Sequence, residues 1–139
     1  MNTAVSIFPT ITAISAIFAA GLHAFLSLRV SLIRNASGIP FGIAGDERLR
    51  ARVRAHGNFA ENAPLFLVLL GISEMAGAVP EILWFLAGLF AVARTAHAAG
   101  LEADQPRNPG RLLGGMLTLW CHVGAATLLA HSVVLWLSL

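Results

Sequence analysis

Apolar runs set the frame of this chain. Residues 1–28 and 112–139 contain no Asp, Glu, Lys or Arg, and each run exceeds the roughly 20 apolar residues that carry a helix across a bilayer. Between them lie two shorter uncharged runs, 62–73 and 82–93, of 12 residues each. At 1.5 Å per residue such a run covers only about 18 Å of a hydrocarbon core about 30 Å thick, so neither spans alone. Glu74 and the helix-breaking Pro80 limit the first of them downstream, so its helix must draw length from upstream and take Glu61, Asn58 and Arg54 toward the membrane. The second starts near Pro80, a favourable first helical residue, and must include Arg94 and approach His97. The pattern predicts an all-α fold, an integral membrane four-helix bundle forming a single domain over 1–139. Its spans are expected at about 4–30, 52–77, 80–100 and 112–136, joined by a polar Gly-rich loop, a tight "AGAVPE" turn and the loop "LEADQPRNPG". No internal repeat or low-complexity tract interrupts this plan.

Composition sharpens the picture. The chain is 57% hydrophobic and 12% charged, where a soluble domain is about a quarter charged. A sequence pI near 10 could point to nucleic acid, but that needs basic residues clustered on a soluble surface, and no soluble domain is present to carry them. All nine basic residues are Arg, a bias toward forked pairing with carboxylates or phosphates. The first positive charge, Arg29, follows the first apolar run rather than preceding it, so that run is expected to be a permanent span and not a secretory signal. Cys121, the single cysteine, excludes an intrachain disulfide and is expected to be an inert buried hydrophobe.

Loop charges give an orientation. Arg29, Arg34, Arg48, Arg50 and Arg52 flank the first loop, Arg107 and Arg111 lie in or beside the third, and the second has none. The positive-inside rule then predicts loops one and three in the cytoplasm and both chain ends outside. In that topology Arg29, Arg54, Asn58, Glu61, Arg94, His97 and Arg111 occupy one layer, within about 14 Å of the boundary if helix 2 enters near Arg52.

Arg54, Asn58 and Glu61 share one helical stripe, and Arg94 and His97 another. A charge near mid-span costs roughly 2.5–3.5 kcal/mol on insertion scales, so such groups face the bundle interior in pairs. An interhelical clamp of Glu61 with Arg54 or Arg94 would satisfy one pair. Glu61 is the layer's only carboxylate, however, against several Arg. An anionic ligand with carboxylates would complete the set, with Glu61 suited to its ammonium group. Pro64 removes a backbone donor from Ala60 and is expected to kink helix 2. His23, His122 and His131 lie on apolar helices with no metal-site spacing and are expected to fill polar gaps. His56 reads as a boundary residue, and Trp84, Trp120 and Trp136 as packing or interfacial anchors.

The motifs themselves resemble a known family. "RAHGNFAENAPLF", with Arg54, His56, Asn58, Glu61 and Pro64, is similar to the second-helix motif of the MAPEG family, the membrane-associated proteins of eicosanoid and glutathione metabolism. "ARTAHAAG", with Arg94 and His97, resembles its third-helix motif, and "RNPGR", Arg107 to Arg111, the entry to its fourth helix. The resemblance implies a homotrimer that binds glutathione, as co-substrate, in a bent form between subunits near the cytoplasmic face. Residues matching Arg54, Asn58 and Glu61 hold its polar groups there, and Arg94 and His97 line the same site. An Arg entering helix 4 hydrogen-bonds the thiol; Arg111 is the match, Arg107 the second candidate. The Arg ending helix 1 corresponds to Arg29 or Arg34.

That role is physically reasonable. A free thiol has a pKa near 8.5, and lowering it by about two units takes roughly 2.7 kcal/mol of preferential thiolate stabilisation, within reach of a fixed Arg in a partly desolvated site. The second substrate would be an apolar electrophile or lipid hydroperoxide arriving from the bilayer. The chain also departs from the family. It has no Tyr, and Asn62, His97 and Leu101 stand where eicosanoid-processing relatives often carry one; Leu112 stands where some have Ser. The expectation is an enzyme of bacterial type, in the bacterial inner membrane, a glutathione transferase or glutathione-dependent peroxidase rather than an eicosanoid synthase. The alternative is a non-catalytic lipid- or thiol-binding membrane protein of the same fold. A small multidrug-type transporter would need an acid on its first helix, and no Asp or Glu precedes Asp46.

Overall fold

The computed structural model describes residues 8–101 and 108–138. They form four helices, α1 Thr10–Ser37, α2 Glu47–Met75, α3 Pro80–Ala99 and α4 Pro109–Leu137, with no strand among the described residues. The residues numbered 4–7, where the first span was expected to begin, and Arg107 lie outside the described residues. α1, α3 and α4 are long and apolar enough to cross a membrane. α2 is of like length, at 29 residues, but is less apolar than the other three. Its apolar face is nonetheless continuous: Ala55, Phe59, Ala63, Phe66 and Leu70 recur at helical spacing and are buried. The helix runs on through Pro64.

Neighbour relations fix the topology. α1 packs on α2, α2 on α4, α4 on α3 and α3 on α1, while α2 also touches α3 across the middle. The Arg94–Thr118 and Cys121–Leu86 contacts run α3 and α4 antiparallel, and Ile11–Glu74 with His23–His56 does the same for α1 and α2. Phe66 and Phe90 stack at 4.0 Å between ring centres, with His122 meeting both edge-on. Outside, the bundle is apolar: Phe18, Phe25, Trp84, Phe85 and Trp120 are exposed, and Ile17 is 74% exposed. So large an apolar exterior would aggregate in water and is at home in lipid. The protein is an integral membrane four-helix bundle.

The helix starts are capped in different ways. Asp46 accepts from the Leu49 amide at 2.9 Å, and Asn108 from the Gly110 amide at 2.8 Å. Pro80 and Pro109 occupy first-turn positions that need no N–H donor. α1 follows Pro9, which offers no side-chain cap. Glu74 of α2 supplies one instead: its carboxylate accepts from the amides of Ile11 and Thr12 at 2.8 Å each and from the Thr12 hydroxyl at 2.7 Å. The acid that limits the apolar run of α2 thus closes the N-terminus of α1, where the helix dipole favours negative charge. His23, rather than standing alone, lies against His56 at 4.7 Å between ring centres.

Close approach of α3 and α4 depends on glycine. A Cβ on Gly114 would lie 2.6 Å from both the Ala93 carbonyl oxygen and the His97 amide nitrogen, and one on Gly100 would collide with the Arg111 backbone nitrogen. Small residues at such crossings let two membrane helices pack backbone to backbone.

Gly114→Ala is expected to destabilise the bundle by about 1–3 kcal/mol, the usual range for overpacking, seen as a lowered melting temperature in detergent. Glu74→Ala removes all three cap bonds and is expected to cost about 1–2 kcal/mol. Faster amide exchange at Ile11 and Thr12, with little change in the α3–α4 contact, would mark the loss as local to the start of α1.

Candidate functional site

Three helices converge on Arg94. It is 1% exposed, the largest of the deeply buried side chains, and none of its described partners is a carboxylate. One terminal nitrogen donates to Asn58 Oδ1 on α2 at 2.7 Å, the other to Thr118 Oγ1 on α4 at 3.1 Å, and the guanidinium lies 5.8 Å from the centre of the Phe59 ring. The Thr118 hydroxyl in turn donates to the Gly114 carbonyl at 2.7 Å. The Arg94 Nε–H is buried with no acceptor. A buried guanidinium held by neutral groups, with one donor unspent, is set up for a further acceptor.

The surrounding wall supplies unlike charge. Glu61 lines a groove of about 320 Å³ with Asn58, Asn62, Arg94, His97, Thr118 and His122. No ion pair joins Glu61 to Arg54 or Arg94; among the described residues the pair formed is Arg50 with Glu47. The interhelical clamp considered from the sequence is therefore not made, and the Glu61 carboxylate faces the groove region exposed. His97 Nδ1 lies 2.9 Å from the Arg111 carbonyl oxygen. A carbonyl only accepts, so this nitrogen carries the proton, and in the neutral ring Nε2 is the acceptor. The bond ties the end of α3 to the first turn of α4. Arg111 itself lines a second, larger groove of about 750 Å³ with His97, Asn108, Leu112, Met116 and Leu119.

The structure thus gathers Asn58, Glu61, Arg94 and His97 around one groove, with Arg111 in the adjoining one. Arg54 is exposed and lines neither. Arg29 lies over its own helix neighbour Phe25, 5.5 Å from the ring centre. Arg34 donates to the carbonyls of Ile39, Pro40 and Gly42 and so closes the loop between α1 and α2.

Spacing by charge alone does not find Thr118, Asn62 or His122. Asn62 donates from its side chain to the Asn58 carbonyl at 2.7 Å. His122 has Nδ1 2.8 Å from the Thr118 carbonyl and Nε2 3.2 Å from that of Asn62, so its ring bridges α4 and α2. A usable signal exists in the sequence: Arg111, Gly115, Thr118 and His122 recur at intervals of four, three and four, one stripe of α4. No group of three or more metal-ligating side chains occurs among the described residues.

The MAPEG family model matches residues 12–131, most of the length and all of the site described above. A search of curated proteins gave no match. The helical architecture, the three apolar spans and the extent of this match agree, and the chain belongs to the MAPEG family.

Proposed function

We propose that this protein is a membrane-bound glutathione-dependent transferase or peroxidase acting on apolar electrophiles or lipid hydroperoxides. Membership of the family supports a glutathione-related role in general. The observation that carries the finer reading is Arg94, a buried guanidinium with an unspent Nε–H beside a groove that also presents the Glu61 carboxylate. Glutathione offers carboxylates for the cation, an ammonium for the acid, and amides for Asn58 and His97. In this reading Arg54 and Arg29 reach the ligand from the rim in a homotrimer whose subunits meet at the groove. Arg34, already bonded to loop carbonyls, is the weaker choice of the two at the end of α1.

Arg111 is assigned to the thiol, with Arg107, four residues earlier in the chain, as the second candidate. Arg111 sits in the first turn of α4, where the guanidinium charge and the helix N-terminus act in the same direction on an anion. The thiol proton passes to water. In transfer, the sulfur lone pair forms the new carbon–sulfur bond as the leaving group departs with its electron pair. In peroxide reduction, sulfur attacks the terminal oxygen, the O–O bond breaks, and the alkoxide takes a proton to become the alcohol. A second glutathione then displaces water from the oxidised sulfur and leaves the disulfide. The electrophile reaches the site from lipid, past Leu112, Met116 and Leu119, which are exposed on α4. We place the protein in a bacterial inner membrane, with chain ends outside and the site layer toward the cytoplasm.

Calorimetry should detect glutathione binding to the purified wild type, and thiolate absorbance should appear on binding. Arg111→Ala is expected to lower kcat by about 100-fold while changing affinity little, the pattern for a group that acts on developing charge. Glu61→Gln is expected to weaken binding by about tenfold, near 1.4 kcal/mol. Binding without thiolate absorbance would instead indicate a non-catalytic thiol-binding protein, and no binding at all would overturn the reading.

A further inference from the structure

Two adjacent glycines on α4 face different demands. Gly114 is required by packing, since any Cβ there meets the α3 backbone at 2.6 Å. Gly115 is not: its Cβ would lie 3.6 Å from His97 Nδ1 and 3.8 Å from Cε1, ordinary contact distances. It lies inside a long helix, where glycine is about 1 kcal/mol less favourable than alanine. No positive φ calls for it either.

Its position supplies a reason. The inner groove, which holds Asn58, Glu61 and Arg94, and the outer groove, which holds Arg111, Leu112 and Met116, share His97, Gly115 and Leu119. His97 is pinned by its bond to the Arg111 carbonyl and cannot swing aside without breaking it. Leu119 is 65% exposed on the outer wall. Of the three shared positions, Gly115 is the one that contributes no side chain between the two grooves.

We propose that Gly115 is a specificity-determining residue, whose missing side chain keeps the two grooves continuous and sets how bulky an electrophile can reach a thiol held beside Arg111. This rests on the glutathione-dependent reading above. An added Cβ here would narrow the passage from the α4 side, meeting His97 at ordinary contact distance and none of Asn58, Glu61, Arg94 or Arg111.

The test is a series of full-length variants, Gly115→Ala, Gly115→Val and Gly115→Leu, assayed with electrophile pairs that share a reactive group. Ethyl against cumene hydroperoxide serves for peroxidase turnover, and chlorodinitrobenzene against chlorodinitronaphthalene for transfer. Glutathione affinity and melting temperature are measured in parallel. Gly115→Val and Gly115→Leu are expected to lower kcat/KM for the bulky member by about 10- to 100-fold, the scale of steric discrimination in a pocket, with about threefold loss or less for the compact one. Glutathione affinity should stay within about threefold, less than 0.7 kcal/mol. Leu119→Ala, which widens the same passage, should shift the ratio the other way and decides the matter if Gly115→Leu does not fold. Equal losses for both members, or loss of glutathione affinity in step with rate, would overturn the proposal while leaving the thiol-dependent function standing. Failure of the wild type to bind glutathione would overturn that function, and this proposal with it.

Discussion

A buried guanidinium at the meeting point of α2, α3 and α4 constrains this bundle more than any other group. Arg94 can be buried only if its donors find oxygen, because the apolar interior offers no water to replace it. Asn58 and Thr118 provide that oxygen, and each lies on a different helix. Sliding α2 by one residue would turn Asn58 off the stripe, and sliding α4 would do the same to Thr118. One side chain thus sets the register of three helices. Because its partners are neutral, the charge is solvated without being cancelled, and the electrostatic demand passes to the groove.

The glycines of α4 convert that register into a shape. Gly114 brings α4 against the α3 backbone next to Ala93 and His97, so Thr118, one turn further, arrives within reach of Arg94. The same closeness lets His97 bond the Arg111 carbonyl and fix the start of α4. Packing and site geometry have a common origin here: the tight contact that stabilises the α3–α4 pair also positions the cation and the imidazole along one wall.

Much of this is legible in the sequence, for a mechanical reason. A 12-residue apolar run is too short to cross a bilayer, so the charges at its ends must be drawn in, and that arithmetic alone brings Asn58, Glu61, Arg94 and His97 to one depth. Pro80 marks the start of α3 because its ring best suits a first helical turn, where the missing N–H costs nothing. Thr118 and His122 are harder to find, since a hydroxyl or an imidazole barely interrupts an apolar run and shows only by its spacing from Arg111. The role of Glu74 is harder still. Its three hydrogen-bond donors lie more than 60 residues away in the chain, on a helix start that Pro9 leaves uncapped, and local pattern carries no trace of so distant a partner. Arg54 shares a stripe with Asn58 and Glu61, yet it ends exposed, because spacing fixes a face of a helix and not what packs beyond it.

The two ends of α2 explain why a helix so polar holds its place in this bundle. At one end Asn58 satisfies Arg94 and Asn62 braces Asn58 through its carbonyl; at the other Glu74 caps α1. Between them the buried stripe from Ala55 to Leu70 supplies the apolar contact. Two of its polar groups meet a neighbour's hydrogen-bonding need, Asn58 that of Arg94 and Glu74 that of the amides of Ile11 and Thr12. Glu61 is placed differently. It sits on the same helix, one turn from Asn58, and meets no such need within the bundle, so its charge is directed at whatever enters the groove. A helix that spends Asn58 and Glu74 on structure and leaves one acid on the wall of the groove that the buried Arg94 also lines has the asymmetry a binding site requires.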